Sequence, residues 1–208
     1  MGKNARQRRK ARRAAQFEAE KKQRIEAEKK ERYEKTMELL AEAKSRPLPF
    51  QWIPKFHLAA RNAMSDYYWT KLSKTLRERA DYVCAYCGER HPESYGTALH
   101  EEWNYLIDED HNGTFELKSL KCVCKKCHNV CHPGASAFFG ESDINEIIER
   151  YCRINNVDED TAVNEYILTK QYRDALATHI KEWKLEDGIL DKIQNEYGVK
   201  CYSKNVQF

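Results

Sequence analysis

Two short stretches decide the fold of this chain: Cys84-Ala85-Tyr86-Cys87-Gly88 and Cys124-Lys125-Lys126-Cys127. A C-x-x-C turn directs two sulfur atoms at one point, and structural zinc takes four tetrahedral thiolate or imidazole ligands at about 2.0–2.3 Å. Two such turns therefore complete the shell of one ion. The spacing predicts one structural Zn²⁺ bound by Cys84, Cys87, Cys124 and Cys127.

The other four of the eight cysteines carry weaker signals. Cys122 and Cys131 lie close enough along the chain to compete as ligands, and the sequence leaves open a register in which Cys122 replaces Cys124. Cys152 falls on an apolar helical stripe, which predicts packing in the core. Cys201 belongs to a C-terminal stretch without a recognisable pattern.

Eight cysteines also occur in secreted disulfide scaffolds, but the pairing argues for metal instead. The basic start leads into no apolar segment, so no secretory signal is predicted. No run approaches the roughly 18 apolar residues of a membrane span, so no membrane partner is expected. We expect a cytoplasmic protein, or a nuclear one if the host has a nucleus.

The segment between the cysteine pairs predicts a β-hairpin. Residues 97–105 and 114–123 read as strands, and Asn112-Gly113 suits the turn between them because both residues tolerate a positive φ. The second cysteine pair opens a short helical turn through His132, and Pro133-Gly134 ends it.

Helices account for most of the remaining sequence, so the predicted fold class is α+β. Ser65 can cap a helix that runs to about Ala80, and Ser142 can cap another. A longer helix is predicted from about Asp160 to Glu186. Its buried side is predicted to carry Leu168, Tyr172, Leu176, Ile180 and Trp183.

Charge and composition divide the chain into three parts. Residues 1–48 predict a long helical arm, disordered near its start; residues 49–197 form the zinc-binding domain, and residues 198–208 a tail. Residues 1–35 hold 14 lysines and arginines and 6 glutamates, so they carry +8 and the rest carries −5 of the net +3. A basic arm favours a polyanionic partner, bound in a salt-sensitive way. The cations expected to contact nucleic acid are Lys3, Arg6, Arg8, Arg9, Lys10, Arg12, Arg13, Lys125 and Lys126.

Three histidines form a second candidate site. His128 and His132 are four residues apart, which puts both imidazoles on one face of a helical turn. His100 lies on the first predicted strand, and a hairpin packed on that helix would let the three rings converge. Alternatively, the two helix residues are spare zinc ligands or surface residues, and His100 is an ordinary packed residue.

Together these residues resemble the HNH endonuclease superfamily, also called His-Me finger or ββα-metal proteins, and within it a zinc-knuckle subgroup of bacterial and phage proteins. The matching motifs are Cys84-x-x-Cys87-Gly88, Leu99-His100-Glu101-x-Trp103-x-Tyr105 and Cys124-x-x-Cys127-His128-x-x-x-His132. The resemblance covers residues 50–193 and leaves the basic arm outside. It implies a treble-clef-like ββα core that is braced by zinc and enclosed by helices.

The resemblance further implies hydrolysis of nucleic-acid phosphodiester bonds with Mg²⁺ or Mn²⁺, on DNA more than RNA. His100, Glu101 and His128 match catalytic positions, and His100, His128 and His132 match ligands of the second metal ion. Two positions depart from the family, because Glu101 follows His100 where the base is usually histidine, and Ser119 replaces the middle asparagine. The alternatives are a non-catalytic DNA- or RNA-binding zinc protein, ribosome-associated ones included, and a regulatory interaction protein. No particular protein partner is predicted.

Overall fold

The computed structural model of this chain describes residues 2–54, 58–91, 96–133 and 143–203, with side chains from residue 17 onward except at position 19. Two compact units are formed, Met1–Glu42 and Ala43–Phe208. The described helices are α1 (Gly2–Ser45), α2 (Ala60–Ala63), α3 (Asp66–Arg79), α4 (Lys125–Cys131), α5 (Ile144–Asn155), α6 (Glu159–His179) and α7 (Ile189–Tyr197). Strands β1 (Thr97–Ile107), β2 (Gly113–Cys124) and β3 (Trp183–Leu185) form one sheet in the order β1-β2-β3. The predicted α+β class is confirmed.

The first unit is made of helix α1, whose backbone is helical from Gly2. A sequence rich in Ala, Gln, Glu, Lys and Arg sustains a long helix, as expected for the arm, and the disorder expected near its start stays a prediction. Its exposed ion pairs Arg24–Glu28 and Lys30–Glu34 have i,i+4 spacing and add only a few tenths of a kcal/mol each. Among the described helices, none is long and apolar enough to cross a membrane.

Strands β1 and β2 form the predicted antiparallel hairpin, and both extend slightly beyond the predicted ends. Thr97 pairs with Cys124 at the base. The turn differs from the prediction, because His111 is the residue with positive φ (62°). The Asp108 carboxylate closes the turn by accepting a hydrogen bond from the backbone N–H of Asn112 at 2.8 Å.

The last part of the predicted long helix is a strand instead. Helix α6 ends at His179, and β3 then pairs in parallel with the start of β2. The Trp183 ring lies 2.3 Å from the position that a Cβ on Gly113 would occupy, so only glycine admits it. The spacing of Ile180 and Trp183 continues a helical pattern, but the free edge of β2 and this close approach decide the conformation.

Helix α5 begins after Asp143 rather than after Ser142. The Asp143 carboxylate accepts a hydrogen bond from the N–H of Asn145 at 2.9 Å, and it is therefore the N-cap. Ser142 and Gly134 lie outside the described residues. Ser65 precedes α3 as predicted, but its side chain makes no capping hydrogen bond.

The second unit contains two hydrophobic cores. One surrounds the stacked rings of Phe50 and Tyr151, and the other contains Phe115 on β2. Val199 and Cys201, in the stretch expected to be a tail, are buried in the second core. Burial of these side chains removes apolar surface from water and so lowers the free energy of the folded state.

Candidate metal centres

The four cysteines of the two C-x-x-C turns converge. Their sulfur atoms all lie within 4.8 Å of one another, and Cys87 Sγ is 3.8 Å from Cys124 Sγ. Tetrahedral zinc with Zn–S bonds of about 2.3 Å places its sulfurs about 3.8 Å apart, whereas a disulfide requires about 2.05 Å. The cluster therefore has the spacing of a metal site, and it can hold an ion such as zinc.

Each cysteine pair lies where the backbone turns. Gly88, with φ of +71°, donates its N–H to the carbonyl of Cys84 at 2.9 Å and closes the first turn. Cys124 ends β2 and is the N-cap of α4, where its sulfur accepts the N–H of Cys127 at 3.5 Å. Cys122 does not belong to the cluster, whose sulfurs are those of Cys84, Cys87, Cys124 and Cys127, so the alternative ligand register is not adopted. The carbonyl of Cys122 accepts a hydrogen bond from the N–H of Ala85 at 2.8 Å.

Arg150 on α5 belongs to this centre, and the sequence analysis did not identify it. Its Nε donates to Cys127 Sγ at 3.2 Å and its Nη2 to Cys124 Sγ at 3.4 Å. Because four thiolates around a divalent ion carry a net charge of −2, a buried guanidinium offsets part of that charge. The available signal was an arginine between Ile147 and Tyr151 on the buried face of a helix.

The Cys87 thiol has to lose its proton when a cation binds. Burial, with a smaller contribution from the neighbouring Cys84, raises the pKa of this thiol to about 11, so without metal it is protonated at neutral pH. A coordinated cation offsets the cost of burying the thiolate, since metal ligation deprotonates thiols outright.

The three predicted histidines also converge. Each offers a nitrogen within 4.8 Å of the others, and the ring centroids of His100 and His132 are 4.9 Å apart. His100 is 1% exposed, whereas His128 and His132 are partly exposed. Strand β1 supplies the first ring and helix α4 with its C-cap supplies the other two.

A backbone contact orients the ring of His132. Its Nδ1 lies 3.1 Å from the carbonyl oxygen of Gln51 and donates to it, which leaves Nε2 unprotonated. That Nε2 is 3.2 Å from His100 Nδ1. Two nitrogens bound to one ion at about 2.0–2.1 Å lie about 3.0–3.4 Å apart, so this pair has the spacing of shared ligands.

Burial favours the neutral form of two rings in the histidine cluster, those of His132 and His100. Burial lowers the pKa of His132 to about 3, with a further contribution from His128. Burial, followed by the charge of the other two rings, also lowers the pKa of His100 well below its usual value. Neutral imidazole is the form that binds metal. Within the described part of the chain, His100 Nε2 is buried without a hydrogen-bond partner.

Glu101 is not brought to the histidines. Its carboxylate accepts a hydrogen bond from the backbone N–H of Arg61 at 2.9 Å, because alternate residues of a strand face opposite sides. Glu102 shares the side of His100: it accepts a hydrogen bond from Tyr86, whose ring centroid lies 6.1 Å from that of His100. The i,i+2 spacing from His100 was the signal that could have identified Glu102.

Ser119, where the resemblance would place an asparagine, holds Glu102 in place. Its hydroxyl donates to the Glu102 carboxylate at 2.6 Å, and Lys121 Nζ lies 2.7 Å from the same carboxylate. Burial opposes ionisation of Glu102, but the hydrogen bonds from Lys121, Ser119 and Tyr86 prevail and lower its pKa. Glu102 is therefore a carboxylate at neutral pH.

The predicted nucleic-acid contacts are only partly described. Lys125 and Lys126 are exposed at the first turn of α4, next to Cys124. The seven cations of residues 3–13 have their backbone in α1, and their side chains lie outside the described part of the chain.

No protein-family model, no curated protein and no solved structure matches this chain. The function of this chain is therefore inferred from the two clusters themselves.

Proposed function

We propose that this chain is a nucleic-acid-binding zinc protein with HNH-type, metal-dependent endonuclease activity. The convergence of His100, His128 and His132 beside the cysteine cluster carries the proposal. In this proposal, Cys84, Cys87, Cys124 and Cys127 bind a structural Zn²⁺, and the histidines bind a second divalent ion.

The shared elements support the proposal. Helix α4 carries Cys127 near its first turn and His128 directly after it, so binding of zinc fixes the helix that presents the imidazoles. Strand β1 presents His100 and is paired through Thr97 with Cys124. We propose that the unit β1-β2-α4 is the zinc-braced ββα core that the resemblance implies.

In this proposal the second ion and Glu102 have the following roles. A divalent ion in the histidine cluster would supply Lewis-acid stabilisation of the charge on the scissile phosphate. Imidazole ligands suit Zn²⁺ best. Of the two ions that the resemblance implies, Mn²⁺ binds nitrogen more readily than Mg²⁺ does, so Mn²⁺ is the preferred test ion. Glu102, which is ionised and lies on the side of His100, is proposed as the proton acceptor in place of Glu101.

The experiment measures cleavage of single- and double-stranded DNA and RNA by the full chain with Mg²⁺, Mn²⁺ or Zn²⁺. We expect cleavage with Mn²⁺, and a loss of at least about 100-fold in His100→Ala and His128→Ala that retain one zinc per chain. His179→Ala, at the exposed end of α6, is the matched control and should keep full activity. Cleavage that survives in His100→Ala, or no cleavage with any of the ions, would contradict the proposal.

A second candidate is a non-catalytic nucleic-acid-binding protein. The burial of His100 favours it, because a ring that is 1% exposed is also consistent with a packed residue. Salt-sensitive binding without cleavage, together with one zinc per chain after soaking with Mn²⁺, would identify this function.

A further inference from the structure

A cavity of about 320 Å³ lies within the second unit, beside the histidine cluster. Its walls come from the segment around Gln51, from β1 and from α6. Pockets for small ligands begin at about 300 Å³. The cavity is therefore large enough for one ring system with its substituents and too small for a base pair in a duplex.

The walls are aromatic and fixed in position. Trp52, Trp103, Tyr105 and Tyr172 line the cavity. The indole Nε1 of Trp52 donates to the Thr169 hydroxyl at 3.1 Å, and the Tyr105 hydroxyl donates to the Trp52 carbonyl at 2.9 Å. Flat, immobilised aromatic surfaces are the usual platform for a nucleobase, because every base offers a π face.

The cations of the cavity are not neutralised by acids. Lys44 Nζ lies 3.8 Å from the centroid of the Tyr172 ring, and Lys118 is exposed on β2. Among the described residues, neither ammonium has a carboxylate within 4.0 Å. The acid in the wall, Glu102, is already paired with Lys121. The cavity thus favours an aromatic ligand that carries negative charge.

Gln51 connects the cavity to the candidate metal centre. It lines the cavity, and its carbonyl oxygen binds His132 Nδ1 at 3.1 Å. Its backbone N–H donates to the carbonyl of Cys131 at 2.8 Å, and its side-chain amide donates to the carbonyl of Glu101 at 2.7 Å. One residue therefore separates the aromatic walls from the imidazoles.

We propose that this cavity binds a single unpaired nucleobase, with the attached phosphate directed at Lys44 and Lys118. This inference rests on the proposed function, for which it specifies unpaired nucleotides of a single strand, a loop or an opened duplex as the substrate class. A paired base does not fit, because stacking in the cavity requires both the base plane and its edge to be free of a partner.

The test measures binding without catalysis. The zinc-loaded full chain, with no other divalent ion added, is titrated with adenosine 5′-monophosphate, a single-stranded hexanucleotide and a matched duplex, and affinity is measured calorimetrically. Indole N–H signals in NMR spectra report the position: those of Trp52 and Trp103 should shift, whereas that of Trp69, outside the cavity, should not. The single strand should bind more tightly than the duplex.

Two sets of variants assign the contacts. Tyr172→Ala removes a stacking surface and should weaken nucleotide binding by about 5- to 100-fold, whereas Tyr172→Phe should bind nearly as the wild type. Lys118→Gln removes one phosphate contact and should therefore reduce the slope of log affinity against log salt concentration by about 1. The control Lys200→Gln changes an exposed residue away from the cavity and should leave this slope unchanged.

Each other outcome overturns the inference. Equal binding of duplex and single strand, or shifts confined to Trp69, would place the contact elsewhere. Displacement of the nucleotide by inorganic phosphate at equal concentration would reduce the cavity to an anion site, and displacement by N-acetylphenylalaninamide would indicate a peptide partner. The two proposals fail separately: nucleotide binding without cleavage contradicts only the nuclease, and Mn²⁺-dependent cleavage that Tyr172→Ala leaves unchanged contradicts only this cavity.

Discussion

The cysteine cluster and the histidine cluster share helix α4, but they are built differently. At the cysteine cluster, Cys84, Cys124 and Cys127 are almost fully buried, and Arg150 and a backbone N–H donate to the sulfurs. At the histidine cluster the residues His128 and His132 are partly exposed, and a buried nitrogen of His100 has no partner among the described residues.

The difference separates a closed site from an open one. Four protein ligands with charge-compensating donors leave no position for substrate, which is the pattern of structural zinc. Three protein ligands with partial exposure leave at least one position open, which is the pattern of a catalytic ion. In the proposed function, the cysteine cluster would stabilise the fold and the histidine cluster would carry the chemistry.

Replacement of a cysteine ligand should have the largest effect. Cys127→Ser should lose zinc and unfold the second unit, because structural zinc supplies about 10–16 kcal/mol, which is comparable to or larger than the stability of a typical domain. Metal analysis measures the zinc content, and near-UV circular dichroism measures the loss of tertiary structure. Cys152→Ser, outside the cluster, should stay folded with one zinc. A folded, metal-free Cys127→Ser protein would remove the distinction between the two sites.

Loss of a histidine ligand should leave the fold intact. Mn²⁺ at 100 times its dissociation constant should stabilise the wild type by about 2.7 kcal/mol, which raises Tm by about 5–10 °C. His128→Ala should abolish this increase while keeping its zinc, and His179→Ala should show it in full. Differential scanning calorimetry makes the comparison. An unfolded His128→Ala protein would show that the histidines are structural.

Removal of the Arg150 guanidinium should weaken zinc binding at the cysteine cluster without abolishing it. Arg150→Leu leaves Cys124 and Cys127 without two N–H···S bonds, so zinc affinity should fall by about 10- to 100-fold. The rate and extent of zinc transfer to a chromophoric chelator measure this change. Arg153→Leu, exposed on the same helix, is the control. Equal zinc retention in both variants would mean that Arg150 only fills space.

The smallest effect is expected for the pH dependence of stability that Glu101 causes, on the face of β1 opposite to His100. Burial raises the pKa of Glu101 from 4.5 to about 7, so the folded state binds the proton more tightly than the unfolded state. Its contribution to stability is therefore lost as the pH rises from about 5 to 7.5, by about 1–2 kcal/mol.

Chemical unfolding of the wild type and Glu101→Gln across this pH range tests the assignment. The wild type should lose stability relative to the variant as the pH rises, while both bind Mn²⁺ equally. A loss of Mn²⁺ binding in Glu101→Gln would show that Glu101 takes part in the histidine cluster after all.

Local spacing was sufficient for the metal ligands and for the hairpin. In a C-x-x-C turn, the chain itself directs both sulfurs to one side, so the grouping of Cys84, Cys87, Cys124 and Cys127 needed little tertiary information. The same holds for β1 and β2, whose strand patterns flank a turn-forming segment, although the residue with positive φ proved to be His111.

Only the tertiary structure decided the contacts between segments that are distant in sequence. Residues 180–186 can continue a helix, but Trp183–Leu185 form a strand because β2 offers a free edge and Gly113 leaves space for Trp183. Arg150 meets the thiolates only after α5 packs on α4. Periodicity reports which side of an element is apolar and not what lies against it. The sequence therefore determined which cysteines can share a metal ion, while the packing of separate elements determined which residues surround these cysteines.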